Sequence, residues 1–524
     1  MRAGRASCLL LLLGAHSLAC ARALAAQNID TIVVENRNVF EPRGEAPGWI
    51  ARLGDALHRR TRPGVIRRAL LFDRGEPYDS ARAVESARAL RALGVFRDVA
   101  LDTARVNGRL AVRVTTSDGW STRAEVGFAS SAGSVTWTLG LVERNVLGTA
   151  SALSAHYRKT PDRREWQLLG RSPGFLARRA VLGAGYLDLS DGRGGFWSYG
   201  VPFYRTSART SLVTYGEAGR TRVLRFRDGA LADSVERRVL RVGLSGGFAL
   251  RATDRNYTRV RWIAQARREA FTALPHGGPQ PDSTSFAAAL GLELGSARFA
   301  AVEQLDRYAR REDVDLTRRL WVGLWAAPRV FGYAASRAGL GPEIQAQWGT
   351  AWEGGFAWLR MNANGVMRAT GMDSGRVELG ATVMKRGLAR HTLVLHAEGG
   401  VASAVAPGTE FDLWVRQNGP RAFTAHAFTG TRRYWVVAED RILVAANALG
   451  LVGIGLAPFV EWGGAWYAGE RPRAGGDVGL ALRLGATRST EGQVTEVAVA
   501  WRFGAGFTAG RWALVIRPGL EFRQ

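Results

Sequence analysis

The chain has 524 residues, 46% of them hydrophobic and 64 of them glycine, with a formal charge of +25; that length suits a large β structure or several domains. Only Lys159 and Lys385 are lysines, and the arginines scatter from end to end without a basic block. This argues against a nucleic-acid footprint and for arginines lining a polar lumen.

Residues 1–26 read as an export signal, with Arg2 and Arg5 as the basic region, Leu9 to Leu13 as the apolar run and Ala23-Leu24-Ala25 as the cleavage site. A lipobox ending at Cys20 fits less well, because Leu18 stands one place too late. Removing Arg2, Arg5 and Arg22 takes the charge from +25 to +22. Cys8 and Cys20 both lie in this segment, so the mature chain is expected to hold no disulfide and no thiolate metal site.

Residues 27–117 carry the signals of a small α+β domain. Ile29 to Val39 is β-rich, and a Pro/Gly-interrupted insertion follows with a short helical pattern from Trp49 to Leu57. Pro63 and Gly64 open a second helix with Val65, Ile66, Ala69 and Leu70 at helical spacing. Asp79 caps a third, whose apolar side is predicted as Val84, Ala87, Leu90 and Leu93 and which Gly94 closes. Strands at 95–101 and 110–114 flank a turn at Asn107-Gly108. The run LLFDRGEPYDSARAVESARALRALGVFRDV, residues 70–99, with Gly75-x-x-Tyr78 and Leu93-Gly94-x-Phe96-x-x-Val99, resembles a POTRA (polypeptide-transport-associated) domain, present here in one copy.

From residue 118 onward the pattern changes to segments of about ten residues with alternating hydrophobicity, separated by Gly, Asp, Asn and Pro, as in a transmembrane β-barrel. Ile442 to Val460 is uncharged for 19 residues, long enough for a spanning helix. Asn447, Gly450, Gly453, Gly455 and Pro458 interrupt it, so two strand ends joined by a turn are expected instead. The residues allow sixteen to twenty strands, depending on how 205–237 and 295–319 are divided, and charged regions such as 222–238 are expected as long outer loops. In the last segment Trp512, Leu514, Ile516, Pro518, Leu520 and Phe522 share one face.

Enzyme signals are poor. Gly170 to Gly174 matches a Gly-x-Ser-x-Gly elbow, but Pro173 lacks the N–H that an oxyanion hole needs, so a turn is expected there. His391 and His396 are five apart and fall on opposite strand faces, which does not suit one metal. No cofactor fingerprint is found.

The stretch NGPRAFTAHAFTGTRRYWVVAEDR, residues 418–441, starts as a turn-rich loop and ends as a strand with Trp435, Val437, Glu439 and Arg441 on one face. It resembles the signature loop of the BamA/TamA-like outer-membrane β-barrel superfamily (bacterial surface antigen family), in which an Arg-Gly-Phe/Tyr tip folds into the lumen and a Glu-x-Arg strand follows. Arg421, Ala422 and Phe423 stand at the tip, with Ala422 in place of the family's glycine; if the tip needs positive φ, Ala422 carries a steric cost. Other family-like marks are Glu143 to Gly148 as a first-hairpin turn, Glu461 within Phe459 to Gly463, and an inward Arg483. Five segments follow the loop, at 432–444, 453–467, 477–487, 494–505 and 511–523.

The resemblance implies about sixteen antiparallel strands over 118–524, preceded by the POTRA-like domain in the periplasm, with the barrel in the bacterial outer membrane. It implies a lumen latch of Arg421, Ala422, Phe423, Glu439, Arg441, Glu461 and Arg483, in which Glu461 is the expected partner of Arg421 and Glu439 the second choice. It also implies a lateral seam between the first strand, at Arg123 and Gly127, and the last, at Val515, Pro518 and Phe522. Pro518 lacks a ladder donor, which fits either a weak seam or divergence. The expected role is cofactor-free assistance to assembly, insertion or translocation of outer-membrane or secreted proteins. Its partners would be membrane lipids and unfolded clients, with periplasmic or lipoprotein partners left open and no nucleic acid. A passive channel or surface antigen of the same architecture is the alternative.

Overall fold

Strand alternation closes most of this chain into one sheet, and a short mixed unit precedes it. The computed structural model describes residues 27–41, 47–131, 134–272, 283–303, 305–308, 311–327, 339–368, 371–387, 390–403, 408–413, 419–489, 494–507 and 510–518. The predicted export signal and Phe522 lie outside them.

The N-terminal unit contains β1 (Thr31–Arg37), α1 (Gly48–Leu57), α2 (Pro63–Ala69), α3 (Ser80–Ala92), β2 (Phe96–Val106) and β3 (Arg109–Asp118). Its sheet runs β1-β3-β2, with β1 parallel to β3 and β2 antiparallel. Asp79 accepts from the Ala81 N–H and starts α3; Gly94, at φ 73°, ends it. Leu90, Ala83 and Ala87 turn α3 inward against Val65, Ile66, Val95 and Phe96, whereas Val84 is 66% exposed, contrary to expectation. Ala87, Leu90 and Leu93 keep the predicted face, and Ala83 takes the place expected of Val84 because positions 83, 86, 87 and 90 recur at helical spacing, with Ser86 buried among them and bonded to the Leu71 N–H.

The barrel strands before the signature loop are β4 (Thr122–Ser131), β5 (Ser134–Glu143), β6 (Ala152–Lys159), β7 (Arg164–Pro173), β8 (Val181–Leu189), β9 (Gly192–Val201), β10 (Thr210–Arg227), β11 (Ala230–Ala252), β12 (Asn256–Phe271) and β13 (Ser283–Ser296). A small hairpin, β14 (Phe299–Glu303) and β15 (Arg311–Asp315), interrupts the wall before β16 (Arg318–Ala327), β17 (Gly339–Trp352), β18 (Gly355–Arg368), β19 (Gly371–Arg386) and β20 (His391–Ser403). The loop carries β21 (Phe411–Leu413) and β22 (Phe428–Gly430). Then come β23 (Arg432–Ala448), β24 (Val452–Trp466), β25 (Ala474–Ala486), β26 (Val494–Gly504) and β27 (Trp512–Pro518).

β27 returns to β4, so twenty antiparallel strands close the barrel. Sixteen were expected. The five after the loop fall where they were predicted, and the surplus lies before it. There two-residue turns such as Ser190-Asp191 and Glu353-Gly354 leave too little signal to divide the pattern. The charged stretch 222–238 is a loop in expectation but strand in the structure: β10 and β11 pair through it to a turn at Asp228-Gly229, both at positive φ. The 295–319 region adds no wall strand except the start of β16. Gly170 to Pro173 ends β7 and the turn begins only at Gly174, at φ 73°. The uncharged stretch 442–460 is two strand ends joined at 449–451.

Outward residues are apolar and open, among them Val126 at 72%, Leu290 at 61% and Trp512 at 70% exposure. Inward residues of β18 to β20 and of β23 to β27 pack on two chain segments inside the lumen. No helix is long and apolar enough to cross a membrane among the described residues, which says nothing about strands. The N-terminal unit sits at one mouth. Its segment 58–62 docks on the β5–β6 turn, where Gly148, at φ 74°, comes so close to the Arg60 carbonyl that a Cβ would lie 2.4 Å from it. Arg178 meets Asp73 and Arg179 donates to the Leu70 carbonyl at the same mouth.

Candidate functional site: a charge cluster in the lumen

The loop between β20 and β23 folds into the barrel and is anchored by apolar packing of Phe411, Leu413, Phe423, Ala427 and Phe428 against Ala402 and Ala465. Its tip then lies against the inner wall. Ala422 is fully buried in an apolar cluster with Ala457, Phe459, Ala481, Ala498, Ala500, Ala513 and Val515, all but Phe459 and Val515 of them alanines. The alanines on β24 to β27 make room for a backbone segment inside the wall. Ala422 is absent from the positive-φ residues, so alanine meets no steric penalty at this tip.

Period-two alternation on β23 turns Trp435, Val437, Glu439 and Arg441 inward, all of them buried. Arg421 is 1% exposed and reaches three carboxylates. Its Nε and Nη2 donate to Glu461 Oε1 at 2.8 and 2.5 Å, Nη2 also donates to Glu439 Oε2 at 2.9 Å, and Nη1 lies 3.5 Å from Glu496 Oε2. The Arg421 backbone N–H meets Glu461 Oε2 at 2.6 Å, and the next N–H, of Ala422, meets Asp477 Oδ2 at 2.9 Å. The guanidinium carbon stacks 3.6 Å from the Phe459 ring centroid. A planar five-donor fork suits this many acceptors as an ammonium would not.

The other charges extend the cluster. Arg441 Nε donates to Glu439 Oε1 at 2.8 Å; Arg483 Nε lies 3.3 Å and Arg517 Nε 3.1 Å from Glu496. Arg483 approaches Glu439 only to 4.0 Å. The structure therefore gathers Arg421, Glu439, Arg441, Glu461 and Arg483 at one place, with Ala422 beside them. Phe423 points away, into the aromatic anchor with Phe428 and Phe507. Sequence reasoning missed Glu496, Asp477 and Arg517. Alternation fixes which strand face each occupies, but the register that brings Glu496 and Arg517 to Arg421 is not written in either strand.

No protein-family model matches the sequence, and no curated protein matches it. Solved structures do. CdiB from Escherichia coli superposes with a TM-score of 0.50 at 10% identity, covering 94% of this chain and 76% of that one. CdiB from Acinetobacter baumannii gives 0.43 at 11% identity, with 94% and 73% covered. BamA from Haemophilus ducreyi lacking POTRA domains 1–3 gives 0.38 at 11%, with 93% and 83% covered. The chain shares the fold of CdiB.

The predicted seam residues sit on β4 and β27. Arg123 pairs with Glu125, both inward-facing, and Gly127 lies on the same face of β4. Among the described residues β27 and β4 are in register at one position, Val515 with Ala129. Gly127, the predicted seam residue on this strand, is two residues from that position. Every other pair of barrel neighbours is in register over seven positions or more, as in β26–β27 and β5–β6. Pro518 ends β27 opposite Thr495 on its well-paired side. At the mouth bearing the N-terminal unit, the Trp120 N–H donates to the Arg488 carbonyl at 2.6 Å and ties the start of β4 to the β25–β26 turn.

Proposed function

We propose that this protein is an outer-membrane barrel that assists the insertion or translocation of other proteins, with its N-terminal unit acting as a POTRA-like domain in the periplasm. The observation that carries the reading is the seam. Among the described residues the sheet is joined there at one position, where the other joints run over seven or more, and the joint with fewest ladder hydrogen bonds is the one that opens first. The loop tip supports this reading, since Ala422 belongs to the same buried apolar cluster as Ala513 and Val515 of β27, the strand that would move. In this mechanism the free edge of β27 or β4 pairs with an extended client strand by β-augmentation, the buried charge cluster holds the wall in shape, and no cofactor takes part.

The test is a disulfide between cysteines at Ala129 and Val515, which are Cα partners; partners across an antiparallel ladder lie about 4.5–5.5 Å apart, within disulfide reach. Cys8 and Cys20 are replaced by serine. The oxidised barrel should fold yet fail to support client assembly or secretion, with activity returning on reduction. If the locked barrel does everything the reduced one does, the seam is only wall, and a passive channel or surface antigen becomes the better reading.

A further inference from the structure

The β14–β15 hairpin is not part of the wall. It leaves β13 at the mouth carrying the N-terminal unit and turns back into the lumen, where Leu305, Val314 and Leu316 pack on inward residues of β18, β19, β20 and β23, including Phe356, Trp358, Trp435 and Val437. Glu312 shapes the tip by accepting the consecutive N–H groups of Leu305, Asp306 and Arg307 at 3.1, 3.1 and 3.0 Å. A carboxylate holding three amides gives a short turn a defined form without regular structure.

Each end of the hairpin grips something of consequence. At the tip, Arg441 Nη1 donates to Asp306 Oδ1 at 2.9 Å and to the Leu305 carbonyl, while Arg441 Nε donates to Glu439. Glu439 thus shares its two oxygens between the outer loop, through Arg421, and the hairpin, through Arg441. Midway along β15, Asp313 is held bidentately by Arg91 of α3, with Nε at 2.5 Å and Nη2 at 3.1 Å, and at the base the Arg88 guanidinium lies 3.8 Å from the Phe299 ring centroid.

We propose that this hairpin is a second lumenal plug that couples the position of α3 to the loop tip: when α3 leaves the mouth, the hairpin withdraws, Arg441 loses Asp306, and Glu439 is left to redistribute between Arg441 and Arg421. The coupling rests on the reading of the loop as a latch. A client or partner that displaces the N-terminal unit would thereby reach the seam strand through the loop tip that shares its apolar cluster. The link runs from Arg91 to Asp313, one residue along the backbone to Glu312, whose carboxylate holds the Asp306 N–H, and on through Arg441 and Glu439 to Arg421.

Two buried reporters test it in the full chain with Cys8 and Cys20 replaced by serine: Leu305→Cys at the hairpin tip and, separately, Ala427→Cys in the loop. Each is labelled with a membrane-impermeant maleimide in reconstituted barrels. Arg91→Ala and Asp313→Ala should each raise labelling at both positions about fivefold, the scale expected for losing a bidentate, partly buried ion pair. The charge swap Arg91→Asp with Asp313→Arg should restore protection at both. If only Leu305→Cys responds, the hairpin is a plug without coupling to the loop. If neither responds, the Arg91–Asp313 pair does not hold it, and the proposal falls. Arg421→Ala separates the underlying reading: should it leave Ala427→Cys protected, the latch fails even where the hairpin responds to Arg91.

Discussion

At the scale of single residues, Arg421 decides more than any other side chain in the lumen. It is surrounded by Glu439, Glu461 and Glu496, each 0–1% exposed, and truncation would leave buried carboxylates short of a cation. Breaking a buried pair in this way costs about 3–5 kcal/mol, so Arg421→Ala should lower the denaturant midpoint of the detergent-folded barrel markedly. Arg421→Lys should recover only part of the loss, because an ammonium supplies charge without the fork that reaches Glu461 and Glu439 together. An unchanged midpoint in Arg421→Ala would mean that the cluster is solvated and holds nothing. Much of this site was legible before the structure: the tip resembled a known signature, and alternation put Glu439 and Arg441 on one face. Glu496, Asp477, Arg517 and Asp306 were not legible. A period of two reports which face a side chain takes, and the barrel's stagger then decides which residues on different strands meet at one height.

At the scale of elements, the hairpin was the least readable part of the chain. Its two strands are five residues each, and its apolar residues pack on wall residues remote in sequence, so neither length nor periodicity marks it as lumenal. A trace of it lies elsewhere. Gly453, Gly455 and Gly485 line a slot for the Tyr308 ring: a Cβ at Gly453 would stand 2.1 Å from Tyr308 Cγ, and one at Gly455 2.3 Å from its hydroxyl. Gly453 and Gly455 read as turn punctuation, yet both lie inside β24 and serve by having no side chain. Gly453→Val should therefore expel Tyr308 while leaving β24 paired, since β-branched residues suit strands. The expected result is a barrel that still migrates as folded, with a new protease-sensitive site in 305–308. If the tip stays protected, the ring has another resting place and the slot is not what seats the hairpin.

At the scale of the whole molecule, packed elements stand at both mouths of the barrel, and the geometry of the far one predicts a dependence on pH. The N-terminal unit and the β14–β15 hairpin occupy one end. At the other, the long β10–β11 hairpin leans over the loop, with Arg225 on Glu410 and the Phe226 carbonyl accepting from Thr429. His426, at φ 63°, stacks 3.5 Å from the Phe226 ring and lies between Asp412 at 2.5 Å and Asp162 of the β6–β7 turn at 2.9 Å. Burial alone would lower the imidazole pKa, but the two carboxylates prevail and raise it from 6.5 to about 9. A raised pKa means that the clasp contributes fully below pH 6.5 and is lost as pH climbs through about 9. Maleimide labelling of Thr424→Cys, taken at each pH relative to the same protein unfolded so that the rising thiolate fraction cancels, should accordingly be low at neutral pH and rise on the approach to pH 9. Asp162→Asn should move that rise toward neutrality, because one of the two partners that hold the proton is gone. Labelling that stays flat through pH 10 would show that the apolar anchor of Phe411, Phe423 and Phe428 keeps the loop in place without His426, and the far mouth would then have no titratable clasp.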